Sequence, residues 1–563
     1  MFSLFVACWV LLRSRYSQGL LRVSIVLLLS FSSPDEAYST SPGQASQIAS
    51  PSSTIYVRRI ILSSAKYLSK REQRKLLAPY LNSFLPPASI QQLIDQLRAH
   101  YIQKGYPTVQ VRAVLDASVQ EGILKLEVIH GFIEQIRLGK NGLNAKRQLA
   151  TAFPFVQGGP LYLPYLEQGI DQLNSVPSSQ ATMTILPGEL MGGSIIQINN
   201  PVHYPWRIDI GMDNLGEEAS GELRGKVNLA LDNLLSLNDT FTFHCAINKA
   251  KKIFSKTRQK EVSLVHKSFV ASFSFPVGAY NFSSTYNTSR ALSPSKPHLE
   301  TYLYETKSSS FAFQVKRILF KGKAYKTFAQ VGITSKDSAS WLEDTFIHNQ
   351  SRKLHIGHGS LSYTGMIGGG QTTAKITYHQ GLPFWGALQD PSPTVSHTPK
   401  AQFKKVNLEL LWGRHFRLPQ QRLMQYQLQY VSQHSKDCLF GSEQLSLAGL
   451  EHVRGLANSL GADQGFFMRQ ELTLVHLLAF SRLAAPLQPF LGLDGGYTLS
   501  KDTSGGQQVF VGWAWGCKYQ AYGFHGDISY GRMLHGGISG GHKLYFNLSF
   551  SLHRLFPGQA QGA

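Results

Sequence analysis

Residues 544–553 read LYFNLSFSLH, in which apolar and polar side chains alternate. Successive side chains of a β-strand point to opposite faces, so this period of two predicts a strand with one apolar and one polar face. The same alternation recurs in residues 207–212, 222–231, 240–247 and 311–315. The sequence therefore predicts an all-β region that extends from about residue 204 to residue 556.

The amino-acid composition excludes several other classes of protein. The chain has 563 residues, of which 16% are charged, and it contains 50 Gly and four Cys. The charged fraction is too low for a coiled coil, and four cysteines are too few for a disulfide scaffold. Because no run of about 18 apolar residues occurs, a membrane protein built from helices is also excluded.

The first 39 residues have the pattern of a secretory signal. Arg13, Arg15 and Arg22 supply positive charge, and residues 23–31 (VSIVLLLSF) form an apolar core. The segment Ala37–Ser39 then places small residues at the −3 and −1 positions of a cleavage site. We therefore expect residues 1–39 to direct export of the chain.

For an exported chain, strands of this kind are best explained by a closed barrel. Every backbone polar group must be paired in lipid, and a closed barrel achieves this with apolar side chains outside and polar ones inside. A soluble β-sandwich is the alternative, but at over 350 residues it would usually split into domains. At about 22 residues for each strand and its connection, the region predicts roughly 16 antiparallel strands.

Two small α+β modules precede the barrel. Residues 40–54 (TSPGQASQIASPSST) are a Ser/Pro-rich linker. Residues 55–131 predict the order β-α-α-β-β, with Ser69 and Glu72 as a capping box at the start of the first helix. Residues 132–200 predict the same order a second time.

This order resembles the POTRA domain. In the first module the resemblance rests on residues 101–106 (YIQKGY) and 121–128 (EGILKLEV), which look like the first POTRA of two-partner secretion transporters. In the second it rests on residues 166–174 (LEQGIDQLN) and 186–188 (LPG). We assign residues 55–131 to POTRA 1 and residues 132–200 to POTRA 2, which we expect to be of the ShlB type.

A motif more specific than the POTRA pattern lies within residues 449–472 (GLEHVRGLANSLGADQGFFMRQEL). It resembles the tip of the sixth extracellular loop in the superfamily of two-partner secretion transporters and Bam-type insertases, usually written VRGY or VRGF. Leu456 stands here in place of the aromatic residue. Residues 492–496 (GLDGG) resemble the GxDxG strand motif of the same family. The candidate site residues are Val453, Arg454, Gly455 and Leu456 in the loop, and Gly492, Asp494 and Gly496 in the strand.

The resemblance implies that the loop folds back into the lumen, where Arg454 pairs with Asp494. A guanidinium and a carboxylate can form two parallel hydrogen bonds, and barrel walls shield such a pair from water. Between the cleavage site and Ile55 there are only about 15 residues, too few for a plug helix with its linker. We therefore expect no plug helix, and we expect the loop that carries Arg454 to close the pore.

The resemblance also implies the function. Members of this family export a large partner protein, such as a haemolysin, an adhesin or a contact-dependent toxin, across the outer membrane, and some activate it. The POTRA modules lie in the periplasm and bind the exported protein, and the Bam machinery inserts the barrel into outer-membrane lipid. Leu555 and Phe556 resemble the aromatic signal for that insertion, followed here by an extension at residues 557–563.

Other functions find less support in the sequence. A Bam-type insertase shares the loop motif but typically carries about five POTRA modules, and a passive porin needs neither modules nor motif.

The net charge of +21 suggests nucleic-acid binding, but Lys and Arg are thinly spread and no nucleic-acid motif accompanies them. No HExxH or P-loop motif occurs, and we predict no enzyme and no cofactor. His355 and His358 would point to opposite faces of a strand, so we predict no metal site there.

Overall fold

The computed structural model describes most of the chain from residue 54 onward. The expected signal at residues 1–39, the linker up to residue 53 and the extension at residues 557–563 lie outside the described residues, as do Leu555 and Phe556. In the part of the chain that is described, no helix is both long and apolar enough to cross a membrane. The described residues are 54–114, 116–139, 142–154, 156–201, 203–216, 221–248, 251–255, 260–295, 302–322, 324–391, 398–419, 422–447, 449–456, 460–475, 487–500, 506–536 and 541–552.

The chain folds into two compact units, of which the first ends at Ile129 and excludes residues 105–108. Its elements are β1 Ile55–Val57, β2 Arg59–Ser63, α1 Lys70–Leu77, β3 Ser83–Leu85, α2 Pro87–Gln103, β4 Gln110–Val114 and β5 Ile123–Ile129. Its sheet has the order β2-β5-β4, with β2 parallel to β5, and β1 pairs with β3 in a separate antiparallel pair.

The capping box of the first helix forms as predicted. The Ser69 side chain accepts a hydrogen bond from the Glu72 N–H, and the Glu72 carboxylate accepts one from the Ser69 N–H. A hydrogen bond from Lys104, with those from Ser69, lowers the pKa of Glu72 to about 2. The apolar face of α2 is buried as its spacing predicts, through Ile90, Leu93, Leu97 and Tyr101.

The second unit begins with another module of the predicted order. Its elements are β6 Phe132–Leu138, α3 Leu143–Ala152, α4 Leu163–Leu173, β7 Thr182–Pro187 and β8 Gly193–Asn199. Its sheet has the order β6-β8-β7, with β6 parallel to β8, and its core includes Leu166 and Ile196, both fully buried. Helix α4 carries Pro at its start, where the missing N–H costs no hydrogen bond.

The remainder of the second unit is a closed antiparallel barrel of 16 strands, as the alternation predicts. Short strands outside this count are β12 Lys251–Ser255, β13 Lys260–Leu264, β18 Thr345–Phe346, β23 Leu445–Ser446 and β24 Gly461–Ala462. The barrel strands are β9 Trp206–Asp213, β10 Arg224–Asp232, β11 Thr240–Asn248, β14 His266–Val277, β15 Tyr280–Ser295, β16 Tyr302–Lys321, β17 Tyr325–Leu342, β19 Arg352–Ile367, β20 Gly370–Leu382, β21 Lys404–Arg417, β22 Leu423–Ser435, β25 Gln464–Leu474, β26 Leu487–Leu499, β27 Gln507–Ala521, β28 Phe524–His535 and β29 His542–Ser551.

The two faces of the barrel wall differ in polarity. Val331, Leu361 and Leu491 are each more than half exposed on the outer face, as expected for strands that alternate between an apolar and a polar side. The residues next to them along the strands point inward, and they include serine and amide side chains. Gln330, for example, donates a hydrogen bond to Gln314 across β17 and β16 in the lumen. The wall therefore has an apolar exterior and a polar lumen.

The second module is joined to the turns at one end of the barrel, which we call the module end. The Gln172 side chain donates a hydrogen bond of 2.7 Å to the carbonyl of Gly278, whose N–H donates to the carbonyl of Thr151. The Asp171 carboxylate accepts hydrogen bonds from Lys321 and Lys326 at 2.7 and 2.8 Å. Helices α3 and α4 are thus fixed to the turns after β14 and β16.

We expect the substitution Asp171→Asn to loosen this junction. Burial raises the pKa of Asp171, but the hydrogen bonds and charges of Lys321 and Lys326 outweigh it and leave the pKa below its ordinary value. Since the folded pKa is lowered, the ion pair stabilises the junction at neutral pH and is lost only as the pH falls through that value. Because the pair is partly exposed, the effect is modest, about 0–1 kcal/mol.

Hydrogen exchange of the full chain in detergent measures this effect. Amides of α4 should exchange a few times faster in Asp171→Asn than in wild type at neutral pH. The difference should shrink as the pH falls below about 3.9, the ordinary pKa of an aspartate, and should vanish only below the lowered pKa of the folded wild-type carboxyl. An identical exchange rate at neutral pH would show that the ion pair does not hold the module.

Candidate functional site

The predicted loop motif lies inside the barrel. Strands β22 and β25 are neighbours, and the segment between them, residues 436–463, is named here the lumenal loop. Its two halves pair through β23 and β24, so the segment forms a hairpin-like arm with Arg454 near its tip. On β26, Leu493 is 49% exposed on the outer face, whereas the next residue, Asp494, faces inward and is 0% exposed. Contact with Asp494 therefore places the arm in the lumen.

Arg454 is held by two carboxylates. Its Nε donates to Oδ2 of Asp494 and its Nη2 to Oδ1, each at 2.7 Å, so the pair is bidentate. Its Nη1 donates to Oε2 of Glu471 at 2.9 Å, and its backbone N–H donates to Asp494 at 3.0 Å. The Arg454 and Asp494 side chains are both fully buried. The geometry therefore fixes both the side chain and the backbone of the loop tip.

Further cations surround Glu471. Lys518 on β27 and Arg469 on β25 both donate to its carboxylate, and Arg469 also donates to the backbone carbonyl of Leu450 in the lumenal loop. Five charged side chains thus share one buried network that joins the arm to three adjacent strands. An unpaired charge in such a place would cost several kcal/mol, so each member depends on the others.

Glycines make room for the arm. A Cβ at Gly492 would lie 1.9 Å from Nη2 of Arg454, and one at Gly496 would lie 2.8 Å from Leu447 of the arm. Gly455 has φ of +92°, a conformation that favours glycine, and a Cβ there would meet the backbone of Arg532 at 2.7 Å. The glycines of both motifs are therefore explained by close packing of the arm on β26 and β28.

Apolar contacts and one hydroxyl complete the attachment. Val453 and Leu456 are buried in a cluster with Leu445, Leu447, Phe467, Phe510 and Met533. Leu456, which replaces the aromatic residue of the family motif, packs in this cluster by aliphatic contact. The N–H of Gly455 donates to the hydroxyl of Tyr545 on β29 at 3.0 Å.

The structure thus brings together all seven residues that the sequence singled out. Residues that the sequence analysis did not assign also contribute, above all Glu471 and Tyr545. Glu471 lies in the quoted stretch after the loop, and Tyr545 is an inward position of the alternating strand 544–553. Glu471 contacts Arg454, which is 17 residues away along the chain, and Tyr545 contacts Gly455, which is 90 residues away. Only the register of the barrel strands reveals contacts between residues so far apart.

His355 and His358 contact different neighbours. His355 contacts the ring of Trp385, while His358 lies beside His379 of β20, with ring centres 5.7 Å apart. Among the residues that the structure describes, no group of three or more His, Cys, Asp and Glu side chains could hold a metal ion.

The substitution Asp494→Ala should release the loop tip. It removes three hydrogen bonds to Arg454 and leaves the guanidinium with only Glu471, and loss of one partner from a buried pair typically costs about 3–5 kcal/mol. The amides of Arg454 and Gly455 should therefore exchange hydrogen at least about 100-fold faster than in wild type, since each 1.4 kcal/mol corresponds to a factor of about ten. Exchange measured by mass spectrometry on the purified chain gives this rate.

A matched control is Glu409→Ala. Glu409 is also an inward carboxylate of the barrel, but it pairs in register with Lys375 of β20 and takes no part in the network around Arg454. Exchange at Arg454 and Gly455 should stay within a few-fold of wild type in this variant. Equal acceleration in the two variants would mean that general loosening of the barrel, and not loss of the pair, releases the tip.

Three family models match the chain. The model described as haemolysin secretion/activation protein ShlB/FhaC/HecB matches residues 192–519. A POTRA domain of the ShlB type matches residues 55–131, and a POTRA domain matches residues 132–187. The model described as ShlB-type thus matches residues 55–131, and the one that matches residues 132–187 is described only as a POTRA domain.

Curated relatives and solved structures agree with these models. The outer membrane transporter CdiB of Dickeya dadantii (strain 3937) is 30% identical over 419 residues, which cover 74% of this chain and 72% of that protein. The hemolysin transporter protein ShlB of Serratia marcescens is 28% identical over 455 residues, which cover 79% and 76%. The structure of CdiB from Escherichia coli matches with a TM-score of 0.77 over 91% of this chain and 92% of that one, and at 24% identity it supports the fold. The chain belongs to the family of haemolysin secretion/activation proteins ShlB/FhaC/HecB.

Proposed function

We propose that this chain is an outer-membrane pore that exports one large partner protein, such as a haemolysin, an adhesin or a contact-dependent toxin. The observation that carries the proposal is the arm of the lumenal loop, tied across a polar lumen by the buried pair of Arg454 and Asp494. Relatives named as transporters, and a family description that adds activation of the exported protein, support the same conclusion.

The direction of transport follows from the two ends of the barrel. The second module is attached at the module end, where the turn between β14 and β15 is only two residues long. The lumenal loop, with 28 residues, starts at the opposite end. In outer-membrane barrels short turns face the periplasm and long loops face the exterior. The partner would therefore enter beside the modules and leave past the lumenal loop.

Strand addition is the mode of recognition that we propose for the modules. Each three-stranded sheet has two edge strands, among them β4 in the first module and β7 in the second. An edge strand presents a row of backbone N–H and C=O groups that an extended segment can pair with. The secretion segment of an unfolded partner is extended, so it can be bound in this way without a preformed pocket.

Transport of this kind would draw its energy from the partner. The sequence has no nucleotide-binding motif, so the chain has no means of coupling transport to ATP. Folding of the partner outside the cell buries apolar surface and makes its return unfavourable. In the same proposal residues 1–39 direct export of the transporter itself, the apolar outer face contacts outer-membrane lipid, and the Bam machinery inserts the barrel.

A Bam-type insertase is the second candidate. The loop motif is common to both groups and does not separate them. Two features favour export: the two POTRA modules, against about five in insertases, and the curated relatives, which are named as transporters. We therefore regard export of a dedicated partner as the better proposal.

Deletion of the gene tests the proposal. Culture medium and outer-membrane fractions of the deletion strain and its parent are compared by mass spectrometry. The proposal expects one large exoprotein to disappear from the surface or medium, because no other route exports it, while other barrels keep their abundance. Complementation with the wild-type gene should restore that exoprotein.

The opposite pattern would contradict the proposal. An insertase acts on many barrels, so its loss would lower the abundance of unrelated outer-membrane proteins together. Such a broad loss, with no single missing exoprotein, would establish the second candidate instead.

A further inference from the structure

A second buried ion cluster holds the lumenal loop at its base. Glu443 lies eleven residues before Arg454, and its side chain is only 4% exposed. One carboxylate oxygen accepts a hydrogen bond from Lys336, and the other accepts one from Lys405 at 3.1 Å. The side chain of Lys405 is itself only 8% exposed. The cluster therefore joins buried opposite charges as the Arg454 network does, but with the roles reversed: here the carboxylate is on the loop and the cations are on the wall.

The backbone of the loop is held at the same place. Lys405 donates to the carbonyl of Glu443 at 2.7 Å, and the Gln433 side chain donates to the same carbonyl at 3.0 Å. Gln433 also reaches the carbonyl of Asp463, at the other end of the loop, at 3.3 Å. Lys336 donates in addition to the carbonyl of Ser442. These contacts clamp both ends of the loop to the barrel wall.

The two clusters lie on different parts of the wall. Lys336 is on β17 and Lys405 on β21, and β17, β19, β20 and β21 follow one another around the barrel. Arg454 is bound instead by strands β25 and β26, and its neighbour Gly455 by β29. The loop is therefore attached to one arc of the wall at its base and to another arc at its tip.

We infer that Glu443 is a second anchor of the lumenal loop, and that the pore opens fully only when the Glu443 and Arg454 anchors are both released. This inference rests on the proposed export function. Release of the tip alone leaves the base fixed to β17 and β21, so the loop can still obstruct part of the lumen. Release of the base alone leaves the tip fixed to β25 and β26. Glu443 is a positioning residue, since it acts on the pore through the loop that it holds.

The substitution Glu443→Gln weakens the base anchor with little change of shape. The side chain keeps its length, and the two hydrogen bonds to the residue 443 carbonyl do not depend on the carboxylate. Lys405, however, becomes a buried cation without a carboxylate partner, which is strongly unfavourable. Movement of the lysine and the loop away from each other, toward water, relieves that cost.

Conductance of the purified full-length chain in planar lipid bilayers tests the inference. The variants are Glu443→Gln, Asp494→Ala and the double variant, with Glu409→Gln as matched control. Glu409 faces the same lumen from the same strand as Lys405, but it pairs in register with Lys375 of β20. We expect each single variant to raise the fraction of time in a conducting state by about tenfold. The double variant should exceed the sum of the two and reach a larger unit conductance, and Glu409→Gln should match wild type.

A further variant separates anchoring from general stability. The variant that combines Glu443→Gln with Lys405→Met no longer has the unpaired cation at position 405. The barrel should therefore recover wild-type heat stability, which is measured by its mobility shift on gels. The base anchor is still missing, so conductance should stay high. Return of conductance to the wild-type level together with stability would overturn the inference, because the opening would then reflect a loosened barrel.

The remaining outcomes show whether Glu443 anchors the lumenal loop and whether that loop closes the pore. If Asp494→Ala opens the channel while Glu443→Gln behaves as wild type and adds nothing in the double variant, Glu443 is not an anchor, although gating by the loop stands. If no variant changes the conductance, the loop does not close the pore and the inference fails with it. Export measured in the deletion strain is independent of both results, so failure of the proposed function remains distinguishable.

Discussion

The buried pairing of Arg454 with Asp494 and Glu471 is the interaction on which the rest of the lumen depends. A guanidinium and a carboxylate, each removed from water, are stable only while they remain together with good hydrogen-bond geometry. The pair therefore favours two discrete arrangements: one with the arm docked, and one with all charges returned to water. Intermediate arrangements, in which a charge is buried without its partner, are disfavoured. The docked arrangement determines which side chains of β25 to β29 can be large, and the glycines at positions 492 and 496 follow from it.

A loop attached at a single point could swing aside, whereas a loop attached to two arcs of the wall cannot. The network around Glu443 extends the same chemistry to β17 and β21, so buried cations and carboxylates, instead of apolar packing alone, hold the loop at both places. Ion pairs suit this task because water can replace the partner of each charge once the lumen is hydrated. At the module end, helices α3 and α4 are tied to the turns, so the entrance of the proposed pore has a defined geometry.

The sequence predicts much of this structure because the determinants are local. Alternation of period two predicts the barrel strands, and the Ser69 capping box predicts the start of α1. One local prediction was wrong in detail: the order β-α-α-β-β predicted for residues 55–131 has a single strand before its first helix. Residues 55–63 form β1 and β2 instead, because the N–H groups of Arg58 and Arg59 both donate to the carbonyl of Gly122 and interrupt the pairing.

The candidate site is predictable only where a motif marks it. Arg454 and Asp494 lie in two recognisable motifs, so their pairing could be expected from the resemblance alone. Glu443 and Lys336 are 107 residues apart and belong to no motif, and the register that brings them together depends on every strand between them. Alternation shows which face a residue occupies, but it does not show which residue of another strand lies opposite.

The central claim is that the partner protein passes through the lumen, and cross-linking during export tests it most directly. A photoreactive amino acid is placed either at Gln330, which faces the lumen, or at Val331, the next residue, which is 61% exposed on the outer face. The two positions differ in little except the side of the wall. The account predicts adducts with the exported protein from position 330 and none from position 331. Adducts from position 331 alone, or from neither position while export continues, would contradict passage through the lumen.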